Sequence, residues 1–153
     1  VLTTVHANNV FDVTGRFMHM GVDPYRFVSA LNGILAPRLV RLTCPHCAVA
    51  EQPDAQLLRD SAIDAEAARE YRFLGGQGCG QCRGTGYKGR KAIAEILNLN
   101  DEIRELIVAR EPIRRIKEAA LRNGTRYLRE AALDLVKNGE TTLREINRVT
   151  FVA

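Results

Sequence analysis

All four cysteines of this 153-residue chain fall in two pairs, Cys44-Pro-His-Cys47 and Cys79-Gly-Gln-Cys82. A two-residue spacer lets a tight knuckle turn both sulfurs of a pair toward one point. Two such pairs bring four thiolates within reach of a single ion. Zinc prefers this tetrahedral set, with sulfur about 2.3 Å from the metal. Four protein ligands close the shell and leave no position for a substrate, so the pattern points to a structural ion rather than a catalytic one. Two disulfides are the competing use of the same cysteines. No secretion signal is read before the pairs, so a reducing compartment, and with it metal, is the expectation. A thioredoxin-like redox centre needs one CxxC in a βαβ context, which neither pair has.

The rest of the composition narrows the function classes. A hydrophobic share of 46% and a charged share of 26% are those of ordinary soluble globular protein. The net charge of +4 permits contact with an acidic membrane surface, a nucleotide or nucleic acid, and requires none of them. No apolar run approaches the length of a transmembrane helix. Tryptophan is absent and aromatics are few, which argues against a base-stacking surface, so no nucleic-acid partner is expected.

Along the chain, Val1-Leu-Thr-Thr-Val5 reads as a buried strand, and Val1 as a fragment boundary. Asn8 and Asn9 are N-cap candidates for a helix carrying Val10, Val13, Thr14 and Phe17, with Gly21 as its C′ residue. Asp23-Pro24 starts another helix, with an apolar stripe of Phe27, Val28, Leu31 and Leu35 that Pro37 disturbs or ends. Residues 48–78 form a 31-residue insertion between the pairs, expected to have little apolar surface of its own and read as one or two short helices from Pro53 to Glu70, with Gly75, Gly76 and Gly78 loosening the backbone and suiting the positive φ angles of a metal knuckle. Lys91 to Leu97 reads as a strand. Helices are expected over Asp101–Ala109, Pro112–Arg122, Arg126–Lys137 and Leu143–Arg148, with stops at Gly124 and Gly139 and a capping box at Thr142-x-x-Glu145.

Few other residues carry chemistry on their own. His6 stands in Thr3-Thr-Val-His-Ala-Asn-Asn9, at the expected C-terminal end of a strand, where open α/β sheets bind ligands. A lone histidine there also has a plain structural reading. Gly84-Thr-Gly-Tyr-Lys-Gly89-Arg-Lys91 imitates a phosphate loop. It lacks the Lys-Ser/Thr that must follow the second glycine, and a metal knuckle rather than a strand precedes it. Cys79-Gly-Gln-Cys-Arg-Gly-Thr-Gly86 matches one CxxCxGxG knuckle of J-domain chaperones, but the first pair has no such glycine tail. No paired carboxylates or Ser-His-Asp arrangement can be picked out.

In order along the chain, the motifs resemble the traffic ATPases of bacterial type II secretion, the general secretion pathway protein E family, and its type IV pilus assembly relatives. Val1-Leu-Thr-Thr-Val-His6-Ala-Asn-Asn9 looks like the family's histidine box, and Arg16-Phe-Met-His-Met-Gly21 like the helix and turn after it. Arg38-Leu-Val-Arg41 looks like its arginine-bearing segment. The cysteine pairs, Thr85-Gly-Tyr-Lys-Gly-Arg90 and Glu95 look like its zinc subdomain and the following strand. Pro37 stands where the family usually has glutamine. The family's Walker A loop, acidic box and Walker B strand lie upstream of the histidine box and are not in these residues.

The resemblance implies an α/β fold in three parts. Residues 1–43 would be the C-terminal remnant of a RecA-like nucleotide-binding domain, 44–90 a tetracysteine zinc subdomain and 91–153 a mostly helical bundle. It implies the C-terminal portion of a hexameric motor, inactive alone, that couples ATP hydrolysis to protein export. The whole protein would use ATP and Mg²⁺ beside a structural Zn²⁺, and would bind its own copies and inner-membrane components of the secretion machinery. It would work in the cytoplasm, on the inner-membrane face. Cys44, Cys47, Cys79 and Cys82 become the metal ligands, His6 the catalytic sensor of the γ-phosphate, and Arg38 and Arg41 cofactor-binding residues that make inter-domain or inter-subunit salt bridges. A zinc-dependent protein- or nucleic-acid-binding module that works without ATP is the alternative.

Overall fold

Two side-chain caps start the chain's first helices. In this computed structural model, which describes residues 1–150, Asn9 Oδ1 accepts hydrogen bonds from the backbone N–H groups of Phe11 and Asp12, both 2.9 Å, and opens α1 (Val10–His19). Gly21, at φ +78°, follows its end. Asp23 caps α2 (Pro24–Ala30), with Pro24 at the first turn. The strands are β1 (Gly33–Thr43), β2 (Ala48–Ala50), β3 (Leu74–Gly76) and β4 (Tyr87–Asn98). The later helices are α3 (Ala55–Asp60), α4 (Asp101–Val108), α5 (Ile113–Arg122), α6 (Leu128–Lys137) and α7 (Leu143–Val149), with 3₁₀ turns at Ala67–Glu70 and Gly80–Cys82. Among the described residues, no helix is long and apolar enough to cross a membrane.

β1 and β4 make one two-stranded sheet, β2 and β3 another. The long ribbon is antiparallel. At one end the Leu99 N–H donates to the Asn32 carbonyl, and at the other the Cys44 N–H donates to the Gly86 carbonyl. The short ribbon is antiparallel too, pairing Ala48 with Gly76 and Ala50 with Leu74. The chain forms two compact units. One takes Val1–Pro37 and Ala94–Tyr127; the other takes Arg38–Ile93 and the chain from Leu128 onward. Segments far apart in sequence are therefore interleaved in each.

The first unit is built on Val10, Phe11, Phe27, Val28, Leu97, Ile103 and Ile116, which bring α1, α2, α4 and α5 around the end of β4. Fully burying each such side chain contributes about 1.5–3 kcal/mol. Glu95 lies in this unit, only 3% exposed, and its carboxylate accepts from the Val10 N–H at the start of α1. An acidic group there complements the helix dipole. The second unit gathers Val40, Ile63, Ile93, Leu128, Leu135, Val136, Leu143 and Ile146, with Leu57, Leu58, Tyr71 and Phe73 of the insertion packed against them.

The structure departs from the sequence expectations in four places. Val1–Val5 is not a strand: it runs irregular and exposed, and no described strand pairs with it to supply a hydrogen-bond ladder. The second helix ends at Ala30, so Leu35 lies in β1, 60% exposed. Pro37 sits mid-strand, which a two-stranded ribbon tolerates because each strand keeps one unpaired edge. The insertion is not short of apolar surface, since its leucines and aromatics pack with α6 and α7. Of the three glycines before Cys79, only Gly78 has positive φ; Gly76 is required by a close approach described below.

Candidate functional site

The turn between β1 and β2 carries Cys44 and Cys47, and the 3₁₀ turn before β4 carries Cys79 and Cys82. The β2–β3 ribbon and the Cys44–Gly86 backbone bond bring the two turns together. All four sulfurs lie within 4.8 Å of one another. Cys44 Sγ is 3.9 Å from Cys79 Sγ, Cys47 Sγ is 3.9 Å from Cys82 Sγ, and Cys79 Sγ is 3.8 Å from Cys82 Sγ. A tetrahedron with metal–sulfur bonds of about 2.3 Å has edges of about 3.8 Å. A disulfide needs about 2.05 Å, so these cysteines are free and not paired covalently. The four cysteines can hold a metal ion, and the donor set suits a thiophilic one.

The protein prepares one thiolate in advance. Burial alone would raise the Cys82 thiol, but it is pulled down to about 6 by the backbone N–H groups of Cys79 and Gly86 and by the thiols of Cys79 and Cys47. Those N–H groups lie 3.1 and 3.3 Å from its sulfur. Cys47 is pushed up to about 11 by burial and by the other three thiols, against one hydrogen bond from Gly78. A cation among the sulfurs would remove that mutual repulsion, which is why ligation and deprotonation go together. Donors aimed at a ligand sulfur also fix its orientation.

Two glycines make the knuckle possible. A Cβ on Gly76 would lie 2.0 Å from the Gly86 carbonyl oxygen, and one on Gly86 would lie 2.3 Å from the Gly76 carbonyl oxygen. The two backbones touch, and no side chain fits at either position. Gly86 also takes φ +76°, which L-residues rarely adopt.

Three residues before Cys44, Arg41 leads to a charged cluster that sequence reasoning missed. Glu145 is buried on α7, and its carboxylate accepts from Arg41 Nε at 2.9 Å, Arg41 Nη2 at 2.6 Å and the Arg41 N–H at 3.1 Å. It also accepts from Arg148 Nε at 3.0 Å and Arg148 Nη2 at 2.7 Å. The Arg41 guanidinium lies 4.2 Å over the Tyr87 ring, and the Tyr87 hydroxyl shares a 2.7 Å hydrogen bond with Thr142. Burial raises the Glu145 carboxyl, but the hydrogen bonds from Arg148 and Arg41 win and hold it at about 2. In the sequence Glu145 is simply the second half of a capping box. Thr142 does cap α7, accepting from the Glu145 N–H at 3.2 Å, but the carboxylate turns to the arginines.

Of the seven sequence-predicted site residues, the structure joins the four cysteines and sets Arg41 in the same compact unit, ion-paired to Glu145. Arg38 is half-buried on the same strand. His6 belongs to the other unit, exposed in the irregular segment before α1.

A family model described as type II/IV secretion system protein matches residues 1–148. The chain is 43% identical over 146 residues to the type IV pilus assembly ATPase PilB of Thermus thermophilus, a match covering 95% of this chain and 16% of that protein. It is 37% identical over 150 residues to the type II secretion system protein HxcR of Pseudomonas aeruginosa, covering 98% of the chain and 28% of the relative. Against the type II secretion system ATPase E of Vibrio cholerae the identity is 34% over 150 residues, with 98% and 29% covered. The chain thus spans less than a third of the length of these relatives.

Proposed function

Because this chain belongs to the type II/IV secretion system protein family, we propose that it is the C-terminal part of a secretion motor ATPase that couples ATP hydrolysis to protein export. The observation that carries this reading is a family match running through nearly the whole chain, from the histidine box past the cysteine cluster to α7. In this reading residues 1–43 complete a RecA-like nucleotide-binding domain, 44–90 are the zinc subdomain and 91–153 the helical end of the motor. The whole protein assembles as a hexameric ring on the cytoplasmic face of the inner membrane and docks on components of the export machinery there.

The residues take distinct roles. Cys44, Cys47, Cys79 and Cys82 hold structural Zn²⁺, which supplies folding energy and no chemistry of its own. ATP and Mg²⁺ bind mainly to upstream residues. His6 senses the γ-phosphate, stabilising the transition state more than the ground state. Arg38 and Arg41 serve inter-domain or inter-subunit contact. Pilus assembly is the second reading within the same family, favoured by the 43% identity to a pilus assembly ATPase. The wording of the histidine box favours secretion.

Two experiments test the proposal. The coding sequence upstream of Val1 is expected to contain a GxxxxGK[ST] loop, whose absence would leave a zinc-dependent binding module as the better reading. Residues 1–153 alone should not turn over ATP, because they contain no such loop, no phosphate-contacting Lys and no Mg²⁺-holding hydroxyl beside it. Turnover by the purified chain that is lost in a His6→Ala control would refute the assignment of parts.

A further inference from the structure

The Arg41–Glu145–Arg148 cluster has more positive charge than its own salt bridges use. One buried carboxylate faces two guanidinium groups, and the side chains of Arg41 and Arg148 stay 43% and 58% exposed. Among the described residues, Glu145 is the only carboxylate acting on either of them. The local balance is therefore one net positive charge at the surface, since Glu145 stays ionised at neutral pH.

Both guanidinium groups are also fixed. Each turns its Nε–Nη2 edge to Glu145, and Arg148 does so as a two-pronged fork onto both carboxylate oxygens. Arg41 is held from a second side by the Tyr87 ring, and Tyr87 is held by Thr142. Neither Nη1 makes a hydrogen bond or ion pair among the described residues. Arginine side chains normally lose much rotamer freedom when they bind an anion. Here much of that freedom is already gone, and among the described residues the outward edges remain unused.

We propose that Arg41 and Arg148 form a preorganised oxyanion site, in which the guanidinium edges left outside Glu145 take one phosphate or carboxylate group. Glu145 is a positioning residue: it sets the two forks and does not touch the anion. The site needs both arginines, because one guanidinium beside Glu145 is neutralised by it. This gives the inter-subunit role proposed for Arg41 a chemistry, yet it does not depend on the motor reading, because the binding is a property of these residues alone.

The test is a titration of the zinc-loaded, ¹⁵N-arginine-labelled chain with inorganic phosphate and, separately, with acetate at matched ionic strength, followed by the Arg Nε–H resonances. Saturable shifts of Arg41 and Arg148 together are expected, with a dissociation constant in roughly the millimolar range for so small an ion. The tighter of the two ions tells a phosphate source from a carboxylate source. Arg148→Lys keeps the charge and removes the fork, and is expected to weaken binding by about tenfold. Arg144→Lys, on the exposed side of the same helix, should leave it unchanged. Linear, unsaturating shifts with both ions in the wild-type chain overturn the proposal without any variant having to fold. So does a folded Arg148→Lys chain that binds phosphate within twofold of wild type.

Discussion

Glu145→Gln removes one charge and almost no volume from the second unit, and its cost can be worked from the structure. The carboxylate is buried and accepts five hydrogen bonds, all from Arg41 and Arg148. Its ordinary value of 4.5 falls to about 2 on folding: burial opposes the fall, and the arginine hydrogen bonds more than offset it. At 1.36 kcal/mol per pH unit the difference is on the order of 3 kcal/mol. Breaking a buried ion pair from one side costs about 3–5 kcal/mol, a similar figure. The sign follows from the direction of the shift. A carboxyl whose folded value is depressed stabilises fully above its unfolded value and loses that stabilisation as pH falls through its folded value. The contribution is therefore nearly complete at pH 4.5, falls to roughly half at pH 3 and is mostly lost by pH 2. Urea melts of the two proteins at pH 7 should differ by about 3 kcal/mol, or roughly 6–12 °C in Tm. At pH 3 the difference should halve, and whatever both proteins lose from the metal site cancels in the comparison. A loss below about 0.5 kcal/mol at pH 7 would place the cluster among ordinary surface pairs and refute the reasoning. A loss that stays constant from pH 7 to pH 3 would show that the charge is not its source.

Metal removal should loosen the second unit as a whole, α6 and α7 included, while α4 and α5 keep their hydrogen-exchange protection. The insertion is tied to the C-terminal helices by a shared apolar cluster and by the Arg72–Lys137 backbone bond, and β1 is tied to them by the Thr43–Glu140 bond. Exchange with and without chelator reads the difference, and α6–α7 left fully protected would count against it. Zinc should be present at one equivalent in reduced protein, contributing about 10 kcal/mol or more to folding, and Cys79→Ser should abolish tight binding as judged by elemental analysis. Gly86→Ala should weaken metal affinity at least tenfold against a chromophoric chelator, because its Cβ would strike the Gly76 carbonyl at 2.3 Å in a positive-φ residue. If the full-length protein is the ATPase proposed above, His6→Ala should lower its kcat with little change in KM; unchanged turnover would return His6 to a structural role.

The features legible in the sequence are those that act locally. CxxC spacing located the four clustered sulfurs because a knuckle needs only adjacent residues. The caps at Asn9 and Asp23 and the glycine stops at Gly124 and Gly139 stand where read, since each is fixed by bonds within a few residues. The four C-terminal helices start and end within about two residues of expectation. What stayed hidden is long-range. Leu35 continues an apolar stripe at helical spacing, but pairing with β4 turned its segment into a strand. β2 and β3 are too short to announce themselves, and Gly76 needs its lack of side chain because of Gly86, ten residues on. Glu145 was the least legible: its partner Arg41 is 104 residues away, and a capping-box reading already accounted for it.

The hidden interactions join the legible ones through a short stretch of backbone. Arg41 and Cys44 lie on one strand end, Cys82 and Tyr87 on the run into the other strand. Between the two the Cys44 N–H reaches the Gly86 carbonyl. The turn before α7 closes the set, with Thr141 Oγ1 donating to the Arg41 carbonyl at 2.7 Å and the Thr43 N–H donating to Glu140. Sulfur ligands and guanidinium groups therefore share a backbone only a few residues long. A metal ion held by the cysteines would stabilise this frame more than the carboxylate does, by about 10 kcal/mol against about 3 kcal/mol for Glu145. An ion at the cysteines would thus set where the β1 end and the β4 start lie, and Glu145 would fix the two arginines on a frame already in place. The dependence runs mainly one way: losing the metal should release the arginine pair, whereas losing Glu145 should leave the sulfur tetrahedron standing.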